Sequence, residues 1–221
     1  MMTPVENFPA ILPTVIAIMA LSLIPFLTVM GTAFTKITIV LMLLRNAIGV
    51  QQAPSGLLIN SIALTLTVFI MAPIGHAVLT QVQQQQLGFT GWESVSRMYG
   101  IVSDSFTGYL KHFSSPRELK FFMDAAERMW PENMQGQITS DNLFILLPAH
   151  VTSELTRAFQ IAFLIFLPFV VVDMVVSNIL LAMGAMMVPP MLVSLPIKIL
   201  LFVAADGWAL LLHNLVLSYA Q

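Results

Sequence analysis

His150, Ser153 and Glu154 fall within one helical turn of LLPAHVTSELTRAF. At that spacing an imidazole and a carboxylate share a helix face, which two metal ligands would also need. No third ligand lies nearby in the sequence. A nucleophilic serine would further need a positioned acid and an oxyanion glycine pattern, and neither is present. The group is therefore read as the solvated start of a helix. Asp173 and Asp206 raise a different possibility, because each sits inside an apolar run. Two carboxylates sharing one proton could cleave peptides within a membrane. The glycine-flanked context expected before the second aspartate is missing, since the local sequence is VAADGW. Phosphate loops, dinucleotide fingerprints and zincin helices are also absent, so no cofactor is expected and the residues argue against an enzyme.

The ionic residues that lie within helix-like apolar sequence are Lys36, Arg45, Asp173, Lys198 and Asp206. A charge at mid-bilayer costs about 2.5–3.5 kcal/mol. Five such charges facing lipid would be prohibitive, so they are expected to face protein as buried structural charges. Unpaired buried ions are costly, and Asp173 or Asp206 is expected to pair with Lys198, within the chain or across subunits. An alternative function follows from the same residues. Lys198, Asp173 and Asp206 could form the ion or substrate site of a small secondary transporter at a broken helix. Its usual mark, an internal repeat, is not evident.

The elements that would hold these groups are dictated by composition. Of the 221 residues, 57% are hydrophobic and only 9% charged, with a mean hydropathy of +0.87. A soluble domain carries roughly 25% charged residues, so this surface must be solvated by lipid, by other subunits, or by both. The net charge of -2 offers no basic field for nucleic acid. Cysteine is absent, which excludes disulfides and thiolate chemistry. Glu6 precedes the first basic residue, Lys36, so the N-terminus lacks a positive leader region, and Pro9 to Met30 is read as retained structure.

Apolar runs long enough to span a hydrocarbon core as helix, about 20 residues, are Asn7–Thr35, Leu57–Thr80, Ala158–Leu181 and Met186–Leu217. Three regions result: apolar helices over 1–80, a polar and mostly helical insert over 81–157, and an apolar helical hairpin over 158–221. The class is all-α. Lys36 and Arg45 favour a cytoplasmic turn, which puts the insert on the periplasmic side. Within the insert, Val95, Met98, Tyr99, Val102, Phe106, Tyr109, Leu110 and Phe113 form one helical stripe. Ser115-Pro116-Arg117-Glu118 reads as a capping box that starts a second helix, with Leu119, Phe122, Met123, Ala126 and Trp130 on its apolar face.

GAMMVPPMLVSLPIK, from Gly184 to Lys198, has too many breakers for an ordinary span. Pro189 and Pro190 cannot donate backbone hydrogen bonds. Broken backbone at membrane depth is tolerated only where it is buried in protein or lines a cavity. Gly184, Pro189, Pro190 and Pro196 are thus expected to break a hairpin that faces a lumen, with Met186 and Met187 at its constriction.

LLPAHVTSELTRAFQIAFLIFLPFVVVDMVVSNILLAMGAMMVPP, followed by LPIKILLFVAADGWALL, resembles the FliP/SctR family, the core export-gate membrane protein of type III secretion. FTKITIVLMLLRNAIGVQQAP resembles the family's first signature, and with MAPIG the likeness covers essentially the whole chain. It implies a channel-forming subunit with no chemistry of its own. Several copies, in a pentamer-like helical arrangement, would join two smaller membrane proteins (FliQ/SctS-like and FliR/SctT-like) in a cone-like hetero-oligomeric channel. Further implied partners are an export-gate switch protein, inner rod or needle subunits, and unfolded protein substrates. The implied location is the bacterial inner membrane at the core of the secretion basal body, with much of the complex on the periplasmic side. A run of methionines after a glycine closes the channel in this family. Here Met186 and Met187 occupy that place and Ala185 replaces the first methionine, so either two methionines per subunit suffice or Met183 or Met191 contributes. GVQQAP, MAPIG and the short N-terminus look more like the injectisome branch than the flagellar one.

Overall fold

A computed structural model describes Ser22 and residues 29–50, 54–85, 92–185 and 187–220. Most of the first apolar run, Asn7–Thr35, lies outside the described residues. Among those described there are only helices and short connections. We number them α1 (Phe34–Ile48), α2 (Gly56–Gln84), α3 (Trp92–Phe113), α4 (Pro116–Met129), α5 (Glu132–Gln135), α6 (Leu143–Ala182), α7 (Pro190–Ala204) and α8 (Gly207–Leu217).

The most buried helix is α1. Ile37, Val40, Leu41, Leu44 and Ala47 are each at most 2% exposed, and α2, α6 and α7 all pack on it. Ile59 and Ala63 of α2, Ala158 and Phe169 of α6, Phe202 of α7 and Leu211 and Leu215 of α8 complete this core. Gly49 ends α1 at φ +90°, and its N–H reaches the carbonyls of Arg45 and Asn46. Glycine meets that left-handed turn without a Cβ penalty. A second core forms where α3 meets α6, around Tyr109, Leu110 and Leu146, with Phe106, Phe113, Leu119 and Tyr219 packed against it.

At 40 residues α6 is the longest element, about 60 Å at 1.5 Å per residue. A hydrocarbon core is about 30 Å thick, so roughly half of an upright α6 lies outside it. The helix passes without interruption through position 157, where the sequence changes from charged to apolar. The insert is therefore not a separate unit; its last helical turns and the membrane-type helix are one rod. Pro148 and Pro168 lie inside this rod, as Pro73 lies inside α2.

Three expectations need correction. Pro196 does not break the chain: α7 continues through it, because one proline removes a single N–H while the turns on either side stay bonded. The capping box at Ser115 is not made, since the Ser115 side chain accepts no capping bond. Its backbone N–H instead donates to Ser153 Oγ at 2.8 Å, so α6 does the work assigned to Glu118. The stripe on α3 holds from Phe106 to Phe113 but departs from its expected course before that. Ile101, Tyr109 and Leu110 are buried, whereas Tyr99 and Val102 face outward. The insert helices α3 and α4, expected to pack on each other or on a neighbour, both pack on a neighbour, α6, with α3 also against α2, so the long rod organises the insert.

Alpha7 and α8 meet at a 60° bend, at the turn-prone Asp206-Gly207 step inside what reads as one apolar run. Asp206 sits there at φ +51°, ψ +41°, a left-handed conformation that asparagine and aspartate adopt more readily than other non-glycine residues. Gly207 follows, and a Cβ at this position would come within 2.3 Å of the Phe202 ring. That ring contacts Trp208 edge-on at 5.4 Å and Phe169 at 6.4 Å. Gly207→Ala is expected to displace this aromatic knuckle and cost about 1–3 kcal/mol, the usual range for overpacking. The thermal midpoint of the purified protein reads this; an unchanged midpoint would show that the bend absorbs the methyl group.

Candidate functional site

Two features stand out on this framework: the connection between α6 and α7, and the ionic groups beneath it. The connection is built by local backbone rules. Alpha6 ends with Gly184 at φ +71°. The Gly184 N–H donates to Leu181 C=O at 3.0 Å, and that of Ala185 to Leu180 C=O at 2.9 Å. This paired closure satisfies carbonyls that the helix end would leave bare. Pro189 then caps α7 and Pro190 takes its first position, where a missing N–H costs nothing. Gly184, Pro189 and Pro190 thus stand together at one break. Met187 is 98% exposed, and Met183 and Met191 are exposed on either side of it. Met186 lies outside the described residues.

Lys198, just over two turns into α7, points into the protein and is 6% exposed. Its Nζ donates to Asp173 Oδ2 at 2.6 Å and to Ala47 C=O at 3.2 Å. Of the two acidic candidates, Asp173 is the one placed beside it. The Ala47 carbonyl belongs to the last turn of α1, where the helix dipole is negative and a cation is stabilising. One ammonium therefore joins α1, α6 and α7. Asp206, expected to be buried, is exposed. The left-handed turn directs it outward, and no described residue pairs with its carboxylate. Arg45 is half-buried, with its Nη1 3.4 Å from the Pro54 carbonyl.

Lys36 is 1% exposed and leads to a group the sequence did not disclose. Its Nζ lies 3.4 Å from Glu154 Oε2 and 3.5 Å from the centre of the Tyr219 ring. The Tyr219 hydroxyl donates to the same carboxylate oxygen. Arg157 Nη1 reaches Glu154 Oε1 at 3.1 Å and the Phe113 carbonyl at 2.9 Å. Glu154 and His150, read from the sequence as a solvated helix start, are both 0% exposed. The reason is that α1, α3 and the C-terminal turn all close over this face of α6. The available signal was Lys36 itself, since a lysine amid TKITIVLMLL requires a carboxylate partner, and Glu154 is the acidic residue just before the apolar run that begins at Ala158.

Tyr109 contacts the His150 ring at 5.6 Å. Burial and the charge of Glu154 push the Tyr109 hydroxyl above the usual phenol range, so it stays neutral. Among the described residues, no three His, Asp or Glu side chains are grouped to hold a metal ion. On the exposed rim, Lys111 joins Ser140 and Asp141 at 3.0 and 2.7 Å, which ties the end of α3 to the start of α6. Exposed pairs of this kind add little stability.

Comparison with known proteins places this architecture. A model of the FliP family matches residues 17–215. The chain belongs to that family. It is 47% identical over 205 residues to Yop proteins translocation protein R of Yersinia pestis, covering 93% of this chain and 94% of that protein. It is 42% identical over 200 residues to harpin secretion protein HrpW of Pseudomonas syringae pv. syringae, covering 90% and 96%. Virulence protein YscR of Salmonella typhimurium is 42% identical over 201 residues, covering 90% and 93%. These relatives place the chain on the injectisome branch, SctR, of the FliP family, and give it a role in type III protein export. They name secretion components rather than any enzyme class. Alpha2 and α6 are long and apolar enough to cross a membrane, and α7 with α8 would make a third, broken span; the protein is membrane-associated.

Removing one member of a buried ion pair typically costs about 3–5 kcal/mol, because the other charge is left without a partner. Glu154→Gln is expected to lose stability on that scale, read as faster turnover in a pulse–chase of the membrane fraction. Replacing both partners, Lys36→Met with Glu154→Leu, should recover much of it. Normal turnover of Glu154→Gln alone would contradict the assignment of Glu154 as the central acceptor.

Proposed function

We propose that this protein is a structural, channel-forming subunit of the type III export gate, conducting unfolded substrates across the bacterial inner membrane. Several copies assemble about a common axis, with two smaller gate membrane proteins resembling FliQ/SctS and FliR/SctT. The gate switch protein and the rod or needle subunits adjoin this core, and much of it stands on the periplasmic side. The observation that supports this reading most is the α6–α7 break. There a family member built largely of apolar helices exposes Met187 almost completely, between a left-handed glycine and a proline pair. A large apolar side chain left almost wholly bare has a partner elsewhere, and here that partner is the same side chain in other copies.

Methionine suits a seal that must yield. Three rotatable bonds let each thioether close on a narrow opening, and an apolar constriction blocks ions by dewetting. No ionic lock has to be broken when a polypeptide is driven through. Ala185 stands where a third methionine would complete the run, and Met183 and Met191 are exposed close enough in sequence to add to the ring. The charges beneath serve a different purpose: Lys198 and Asp173 fix the base of α7, so that the break is held at a set place relative to α1.

Met186→Ala with Met187→Ala should raise ion conductance and small-molecule leak across membranes containing the assembled complex, while leaving its mass unchanged. Conductance equal to the parent's, in a complex of normal size, would overturn the assignment of these residues to the seal.

A further inference from the structure

The ions in the apolar helices of the described chain can be matched almost completely. Glu154 is answered by Lys36 and Arg157, and Asp173 by Lys198. Two groups remain, and they have opposite signs. Arg45, in the last turn of α1, has a buried Nε with no hydrogen-bond partner, and its approach to the Pro54 carbonyl at 3.4 Å is long for an N–H···O bond. Asp206, at the bend between α7 and α8, exposes a carboxylate that no described residue meets. Both belong to sequence apolar enough to sit in lipid or between subunits, where an unpaired ion is costly.

The two groups also lie at one level of the molecule. Leu44 beside Arg45, and Ala205 and Gly207 beside Asp206, line the same apolar groove of about 440 Å³. No described contact joins the two charges within the chain. We propose that Arg45 of one copy pairs with Asp206 of the next copy around the axis. This inference rests on the reading of the protein as one of several copies in a gate. The counts match, one cation and one carboxylate per copy, and their common level lets a rotation bring one to the other. A planar guanidinium is well suited to hold a carboxylate with two parallel bonds in a water-poor interface. Such a contact is heterologous, so it either closes a ring or leaves one free Arg45 and one free Asp206 at the two ends of an open array. In the open case those ends present a defined charge to a different subunit.

The chain contains no cysteine, which makes a specific cross-link readable without background. Arg45→Cys and Asp206→Cys are placed on separately tagged copies, co-expressed with the partner subunits and treated in the membrane with a bifunctional thiol cross-linker. An arginine–carboxylate pair holds its Cα atoms farther apart than the roughly 7 Å that a disulfide can bridge. A cross-linked dimer carrying both tags is expected, and neither variant expressed alone should give one. In parallel, Arg45→Asp and Asp206→Arg should each lower the yield of assembled complex by at least about tenfold, as loss of a desolvated pair does. The double exchange in one chain should restore most of that yield. Native mass of the parent complex separates the two ways of failing. A multi-copy parent with no mixed dimer and no rescue overturns this pairing alone. A cross-link formed only within a single doubly substituted chain overturns it too. A parent that runs as a single copy overturns the pairing together with the multi-copy reading beneath it.

Discussion

A carboxylate taken out of water must be answered by donors, and the fold of this protein is arranged around one such answer. Glu154 sits at 0% exposure between the ammonium of Lys36, the guanidinium of Arg157 and the hydroxyl of Tyr219. These groups come from α1, from α6 itself and from the turn after α8. The apolar contacts around them are non-directional and would tolerate sliding of one greasy helix on another. The ionic contacts do not. They fix the rotation of α1 against α6 and hold the C-terminal turn against Phe113, whose ring lies 5.0 Å from that of Tyr219. Lys198 repeats the device further along, binding α7 to α6 and to the end of α1.

The rest of the surface follows a contrary rule. Leu57, Phe69, Phe163, Leu164, Leu192 and Leu200 are among many large apolar side chains left bare, and only 17% of the most apolar window of α2 or of α6 is buried within the chain. A single copy thus buries its ions and exposes its hydrocarbon, the reverse of a soluble domain. In water such a chain would aggregate; it is complete only in lipid or among further subunits. Alpha6, about twice as long as a bilayer core is thick, cannot satisfy its whole length with lipid alone when it stands upright. That leaves protein neighbours as the natural cover for part of it.

Much of this was legible in the residues. Gly184 and the Pro189–Pro190 pair mark the break where it occurs, because their constraints act on the backbone regardless of surroundings. The helical class, α2 and the Pro116 start of α4 follow from hydropathy and from proline's preference for a first turn. Lys198 in an apolar helix called for a carboxylate, and one of the two proposed lies beside it. What local rules could not supply was anything settled by three helices meeting. Glu154 looks solvated in a charged stretch and is buried because α1 and Tyr219, remote in sequence, close over it. The face of α3 was legible from Phe106 to Phe113; nearer its start Ile101 is buried in place of Tyr99 and Val102, a choice that depends on helices remote in sequence. VAADGW holds a helix-forming run up to its aspartate, so the bend at Asp206 depends on the tight contact of Gly207 with Phe202.

The central claim is that sister copies around a shared axis, rather than acyl chains, cover these helices, with the α6–α7 connection pointing inward. A density map of the complex extracted with its partner subunits tests this most directly. The account predicts several copies of this chain per particle, with Met187 from each converging on a central constriction. A single copy surrounded by detergent or lipid, with Met187 on the outer surface, would contradict it.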